Sequence, residues 1–363
     1  MHKIMRIDKK MEAQKMINGI FAFLTLVLLL WVGRSILIPL LVSIFLWYLI
    51  NAIAAYFRKI LPFSYCVKNC PTFWPGFFNI LSILLSATSL CYLFYAFATQ
   101  INPMFSEFVA RIPEIQTKLI SFSTYLFHEL GLTFDINMFP NLTDIVKTVG
   151  ASAANIATSI GMILIYILFL FVEQSTFHKK LNNLFETKSK TNKFKYIIDS
   201  FDKNMKKYLF VKTVIAAATG ICAYIWLRII GLEFAGVWAF LVFIMNYIPT
   251  IGSIVACSLP ILYALISGDS VNLPLLTAGG LIALEIIFGN ILDPKFMGKT
   301  LNLSTLAILI NLVFWGMIWG IAGMFFSVPI LAAIFIITAQ FDSTRWIAVI
   351  LSADGQIPDK TED

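Results

Sequence analysis

Apolar residues in this chain come in long blocks, not in the alternating or one-sided patterns of a water-soluble fold. Six blocks, at 16–32, 36–57, 77–101, 149–172, 209–230 and 275–292, are each close to the length of a helix that crosses a bilayer. Two further blocks, 234–267 and 304–340, are too long for a single helix, and each carries a proline or glycine break near its middle. Both predict helical hairpins. Whether such hairpins cross fully or only re-enter is open at this stage. A transmembrane β-barrel would show short alternating segments instead. The predicted fold class is therefore all-α: a polytopic helical membrane protein with about eight transmembrane helices, within a range of roughly six to ten, and two Pro/Gly-broken hairpins.

Composition supports this class. The 363 residues are 59% hydrophobic and only 13% charged. A soluble domain carries about 25% charge, so this chain cannot coat a water-facing surface. The basic stretch Met1 to Lys15 precedes the first apolar run, but no small-x-small cleavage site ends that run. Gly33 and Arg34 follow, and a second apolar run continues to Tyr56. This order predicts an uncleaved first span, not a removed signal peptide.

Lysine and arginine set the expected orientation. The head carries Lys3, Arg6, Lys9, Lys10 and Lys15, the 58–76 loop Arg58, Lys59 and Lys68, and the 293–303 loop Lys295 and Lys299. The segment 173–212 holds ten lysines from Lys179 to Lys212. By contrast, 102–148 has Arg111, Lys118 and Lys147 against Glu107, Glu114, Glu129, Asp135 and Asp144. The basic loops and both termini are expected in the cytoplasm, and 102–148 outside. The net charge of +7 is then a topology signal, and no nucleic-acid partner is expected. The organisation predicted is N-terminal membrane helices (1–101), an external helical cap (102–148), a membrane helix (149–173), a cytoplasmic amphipathic segment (174–208), a core (209–341) and a cytoplasmic tail (342–363). Within 194–208, Phe194, Ile197, Ile198, Phe201, Met205 and Tyr208 recur at helical spacing among lysines. Such a helix suits anionic headgroups, or else packs on the bundle.

Enzyme signatures such as HExxH, GxSxG, a P-loop or GxGxxG are absent from the sequence, and no cofactor is expected. His2, His128 and His178 lie far apart and outside the predicted spans. Cys66 and Cys70 form a C-x3-C in a cytoplasmic loop without a nearby histidine, which reads better as reduced thiols than as a metal site.

The chemistry-bearing residue is Glu285, near the centre of 275–292. A charge at that depth costs about 2.5–3.5 kcal/mol on insertion scales, so the group must be neutral, paired or beside water. Gly289, one turn later, leaves room for a close approach, and Asn290 adds a polar group near the same level. One reading is a carboxyl locking two helices together; the other is substrate, cation or proton handling. The hairpins add Asn246, Pro249, Gly252 and Pro260 in the first and Gly316, Gly320, Gly323 and Pro329 in the second. Pro249 is expected to free the carbonyls of Phe243 to Met245, and Gly252 to take positive φ. Broken helices are tolerated in membranes only inside protein or beside water, and transporters build sites from them. Ser258-Leu-Pro-Ile-Leu-Tyr-Ala and Ser327-Val-Pro-Ile-Leu-Ala-Ala share a local pattern in opposite predicted directions, as an inverted repeat would.

At these residues the chain resembles a known family. YLFVKTVIAAATG (208–220), FLVFIMNYIPTIGSIVACSLPIL (240–262), EIIFGNILDPKFMGKTLNLS (285–304) and GIAGMFFSVPILAAI (320–334) are similar to the autoinducer-2 exporter family, the PerM-like permeases of bacterial inner membranes. The family's aromatic-Ile-Pro-x-Ile-Gly turn maps onto Tyr247, Ile248, Pro249, Ile251 and Gly252. Its Glu, Asn, Pro and Gly map onto Glu285, Asn290, Pro294 and Gly298, and its G-x-x-G-M and following Pro onto Gly320, Gly323, Met324 and Pro329. Ser304 and Thr305 depart from a His-Pro common in relatives. The resemblance implies multi-pass transport in the inner membrane, often export, of autoinducer-2 or of sodium or lithium in exchange for protons. A homo-oligomer is expected. Lys212, Asp293, Pro294 and Gly298 would form the cytoplasmic mouth. A channel, for which Glu285 would form a ring, and a non-transporting scaffold remain as alternatives.

Overall fold

The computed structural model describes residues 2–60, 74–130, 159–174, 176–177, 180, 188–267, 272–297 and 302–357. Cys66, Cys70, Gly298 and the 131–148 part of the expected cap lie outside the described residues. In chain order the helices are α1 (His2–Val32), α2 (Arg34–Ile60), α3 (Trp74–Ala110), α4 (Ile112–Leu130), α5 (Ser159–Gln174), α6 (Lys188–Ile229), α7 (Ala235–Met245), α8 (Ile251–Ser267) and α9 (Asn272–Glu285). A π-helical stretch (Ile286–Leu292) continues α9 into α10 (Asp293–Met297), and α11 (Thr305–Ala339) and α12 (Arg345–Leu351) complete the described chain. No strand occurs among the described residues; Leu303 and Ser352 form an isolated antiparallel bridge. The all-α membrane class is thus what the chain adopts.

Five described helical stretches are long and apolar enough to cross a membrane: 34–55, 80–110, 197–229, 272–296 and 305–339. The last is not one crossing. Gly320 has φ 62° and ψ −141°, which no helix contains. Asn311 donates from Nδ2 to the Ser327 carbonyl at 2.6 Å, across sixteen residues. A straight helix would separate that pair by about 24 Å. A Cβ on Gly323 would lie 2.0 Å from the Trp315 carbonyl oxygen, so the limbs meet closely on both sides of the break. The second predicted hairpin therefore exists, folded inside what hydrogen bonding alone assigns as one helix.

The first hairpin is α7 and α8, joined by a turn over 246–250. At eleven residues α7 is about 16 Å long, roughly half the hydrocarbon thickness. It is too short to cross the bilayer by itself. It runs antiparallel to α6: a Cβ on Gly220 would touch the Phe243 Cβ at 3.0 Å, and the Tyr247 hydroxyl donates to Thr213 Oγ1 at 2.9 Å. Small residues permit this approach. Ala223, Ala235, Ala239, Ala256 and Ala264, with Leu227, Trp238 and Tyr263, form the main buried core around the hairpin.

The α6 helix spans 42 residues, about 63 Å, and continues through 208/209 without a break. Its amphipathic first part therefore stands as a rigid extension of the span that follows. Ile197, Met205 and Tyr208 are buried there, against Phe335, Ile336, Ala339 and Ala348 at one end and Tyr48, Val328 and Ala332 at the other. That apolar face is taken up by the bundle. The expected cap likewise begins in continuity with a span: α3 runs through Pro103 to Ala110, and α4 follows after Arg111.

An ion cluster closes the end of the hairpin opposite its turn. Arg111 bonds both oxygens of Glu233 at 3.2 Å and Glu107 at 2.9 Å, and Tyr263 donates to Glu233 Oε2 at 2.7 Å. The Tyr263 hydrogen bond, followed by the Arg111 charge, holds the Glu233 carboxyl below its usual range.

Candidate transport site

The turn Asn246-Tyr-Ile-Pro-Thr-Ile-Gly252 differs from expectation in its backbone. Gly252 does not take positive φ; that conformation falls on Thr250, at φ 61°. What Gly252 supplies is space, because a Cβ there would lie 1.9 Å from the Met245 carbonyl oxygen. Nor are all the carbonyls before Pro249 free. Tyr247 N bonds Ile244 O at 3.3 Å and Ile248 N bonds Met245 O at 2.9 Å, the tight i→i+3 pattern that ends helices. Asn246 is buried, and its Oδ1 accepts no hydrogen bond from the described residues. Positive φ is used in the second hairpin, at Gly320. Pro329 lies inside its returning limb. Gly252 and Gly323 thus do the same job: each lets the start of a returning limb touch a carbonyl of the incoming one.

Glu285 ends α9 where the helix widens into the π stretch. Such widenings are rare and concentrate at functional sites. Ser253, on the second residue after the Ile251 start of α8, donates its hydroxyl to Glu285 Oε1. A Cβ on Gly289 would sit 2.6 Å from the same oxygen, so the glycine makes room for the carboxyl. Glu285 is half-buried, while Asn290 is exposed. On the turn before Glu285, Leu281 is buried while Ile282 is 50% exposed, so the protein-facing stripe of α9 is narrow.

Trp226 Nε1 donates to Leu276 O at 3.0 Å, and Lys212 Nζ donates to Asp293 Oδ2 at 2.7 Å. These contacts fix α9 and its π extension antiparallel to α6. Glu285 lies between them, eight residues before Asp293. The Lys212–Asp293 pair itself is buried, with side chains 10% and 18% exposed. Asp293 Oδ1 has no partner among the described residues. Pro294 follows at the surface.

The two hairpins meet through aromatic rings. Tyr247, in the first turn, packs on Phe325 of the second hairpin with centroids 4.6 Å apart. Phe45 of α2 contacts Tyr247 at 5.9 Å and Phe325 at 5.4 Å. Trp319 beside the second break donates to the Leu30 carbonyl of α1 at 2.9 Å. The structure therefore gathers Asn246, Pro249, Gly252 and Glu285 around the first hairpin and Gly320, Gly323 and Pro329 in the second. Asn290 stands apart. Ser253, Thr213 and the Tyr247 hydroxyl were not legible as site residues. A serine two positions beyond the start of a broken limb, facing a helix with a lone carboxylate, was the available signal for the first.

The sequence of residues 20–342 matches the family described as AI-2E family transporter. The chain belongs to that family. TqsA, an AI-2 transport protein of Escherichia coli strain K12, is 35% identical over 55% of this chain and 57% of its own length. A candidate transport protein of Haemophilus influenzae is 29% identical over 75% of this chain and 81% of its own. A sodium-lithium/proton antiporter of Halobacillus andaensis is 28% identical over 55% of this chain and 57% of its own. Just over half of TqsA and of the antiporter is thus matched. The resemblance read from the four motifs is the family shown by the whole chain, and AI-2E membership makes this a multi-pass membrane transport protein, with a small-molecule substrate as the family implies.

Proposed function

We propose that this AI-2E protein is a secondary transporter of the bacterial inner membrane that moves a small polar solute or a cation, with Glu285 taking up and releasing a proton or a cation. The observation that carries the reading is the Glu285 carboxyl set in an apolar helix, bonded to a hydroxyl of the first hairpin and given space by Gly289. A purely structural lock would not need a π widening and a glycine beside the charge. The two hairpins, joined at Tyr247 and Phe325, are the elements whose relative movement would expose Glu285 to one side and then the other. Export of a solute such as autoinducer-2, or exchange of sodium or lithium for protons, are the substrate classes that the names of the relatives suggest. The lysine distribution supports cytoplasmic termini and a cytoplasmic Lys212–Asp293 end, and the expected homo-oligomer belongs to the same proposal. Purified protein in liposomes tests the mode of transport: gradient-driven counterflow supports a carrier, passive conductance a channel, and neither a scaffold. Sidedness is tested by single cysteines. One at 120–140 should react with an impermeant thiol reagent in intact cells, and one at 186–193 should not; the reverse pattern overturns the orientation.

A further inference from the structure

We propose that α12 is a membrane foot: a short helix lying in the lipid headgroup region at the base of the second hairpin, with Trp346, Val349 and Ile350 set among the ends of the acyl chains nearest the headgroups. The seven residues of α12, RWIAVIL, hold one polar side chain, Arg345. One face is taken up by the protein, where Ala348 is fully buried in the cluster of Ile197, Phe335, Ile336 and Ala339. The opposite face is apolar too. Trp346, Val349 and Ile350 share it at i, i+3, i+4 spacing and are 62%, 43% and 66% exposed. A helix that stands in water keeps charged or polar residues on its outward face, and α12 does the reverse.

The bonds that hold α12 set its depth. The Thr344 hydroxyl, just before the helix, donates to the Thr338 carbonyl near the end of α11 at 3.1 Å. At the other end Ser304 N donates to Leu351 O at 2.8 Å and Ala353 N donates to Asn302 O at 3.0 Å. The helix thus joins the exit of the second hairpin to its entrance. Exposed apolar side chains begin at this level: Leu306 on the entering limb is 66% exposed. On the returning limb Ile334 and Ile337 are exposed, and Phe341, just past its end, is exposed as well. The outer apolar surface of a membrane span therefore leads onto α12, and the bilayer that covers the span is the occupant that fits the helix. Tryptophan favours this boundary, where the ring meets lipid chains and the indole N–H meets headgroups. An arginine beside it keeps its stem in the apolar zone and its charge among the headgroups. The segment expected to open the cytoplasmic tail is then part of the membrane-bound unit. This inference stands on the course of α11 and is independent of the role given to Glu285.

The test needs no knowledge of the substrate. Full-length protein is reconstituted in vesicles of phosphatidylethanolamine and phosphatidylglycerol, and the emission of Trp346 is taken as the difference between the original protein and Trp346→Phe. Gel filtration checks that the variant, changed at an exposed ring, folds. Phospholipid brominated near the headgroup end of its acyl chains should remove most of the Trp346 emission. Bromines near the chain ends should remove less, and acrylamide in the water should remove little. Ile350→Trp places a second reporter one turn further on and should respond in the same way. Strong quenching by acrylamide with little by brominated lipid would put α12 in water and overturn the proposal. Quenching by neither would mean that protein covers this face, a second copy of the chain or another partner, and would overturn it equally. So would quenching that is greatest from the chain-end bromines, which would bury the helix at the depth of a span.

Discussion

Replacing Lys212 with methionine removes one member of the buried pair that ties α6 to the end of the π stretch. Methionine keeps the length and apolar stem of the side chain, so packing is little disturbed. The electrostatic loss is large. Asp293 Oδ1 already lacks a partner among the described residues, and Oδ2 would lose its 2.7 Å contact with Lys212. Stranding one charge of a buried pair costs about 3–5 kcal/mol. For a chain of this size that corresponds to a melting temperature lower by roughly 4–7 °C. The cost should shrink in the double variant Lys212→Met with Asp293→Leu, since apolar replacement of both partners is close to neutral. The assay is thermal unfolding of purified protein in detergent. A single variant that melts within about 2 °C of the original, or a double variant no better than the single, would refute the reasoning.

Gly323→Val should sharply lower the yield of folded protein, since its Cβ would lie 2.0 Å from the Trp315 carbonyl oxygen, whereas Gly279→Ala, with open space around it, should be well tolerated; fluorescence gel filtration measures both. Gly252→Val should fail in the same way, so Asn246→Ala is the informative change in the first turn: transport per folded molecule should fall strongly if its buried Oδ1 serves the pathway, and stay normal if the turn is only a corner. Because the folded Glu233 carboxyl titrates below its usual range, its bonds with Tyr263 and Arg111 stabilise the protein fully above the unfolded glutamate value of about 4.3 and lose that contribution as pH falls through the lowered folded value; Glu233→Gln should therefore cost stability near neutrality and nothing at strongly acid pH. Asn302→Ala should loosen the tail, because Asn302 Nδ2 holds Asp354 and the Gln356 carbonyl at 2.8 and 2.9 Å; faster proteolysis beyond 345 is the readout.

The membrane class and both hairpins could be read in the sequence because apolar block length and Pro/Gly breaks act locally. A block of 34 or 37 residues cannot be one crossing whatever surrounds it. The backbone detail of the breaks was less legible. Gly252 and Gly320 look alike as letters, yet one is needed for close packing and the other for positive φ, and only the path of the returning limb distinguishes them. The amphipathic face of 194–208 was plain, but its partner was not, because Phe335 and Ala348 are more than a hundred residues away. Glu285 announced itself as a charge in an apolar run. Its donor did not: Ser253 is one hydroxyl among many, and its meaning comes from antiparallel register between α8 and α9. Asn290 shows the converse, a polar residue close in sequence that the structure leaves exposed.

The most direct test of the account is the pH dependence of transport by Glu285→Gln in proteoliposomes, with autoinducer-2, sodium and lithium each supplied as the probe. The amide keeps the size of the side chain and can still accept from Ser253, so expression and assembly should be normal. The original protein should move at least one of these probes with a steep pH response, and the variant should lose that response. A variant that responds to pH as the original does would contradict the claim that Glu285 carries the coupled charge.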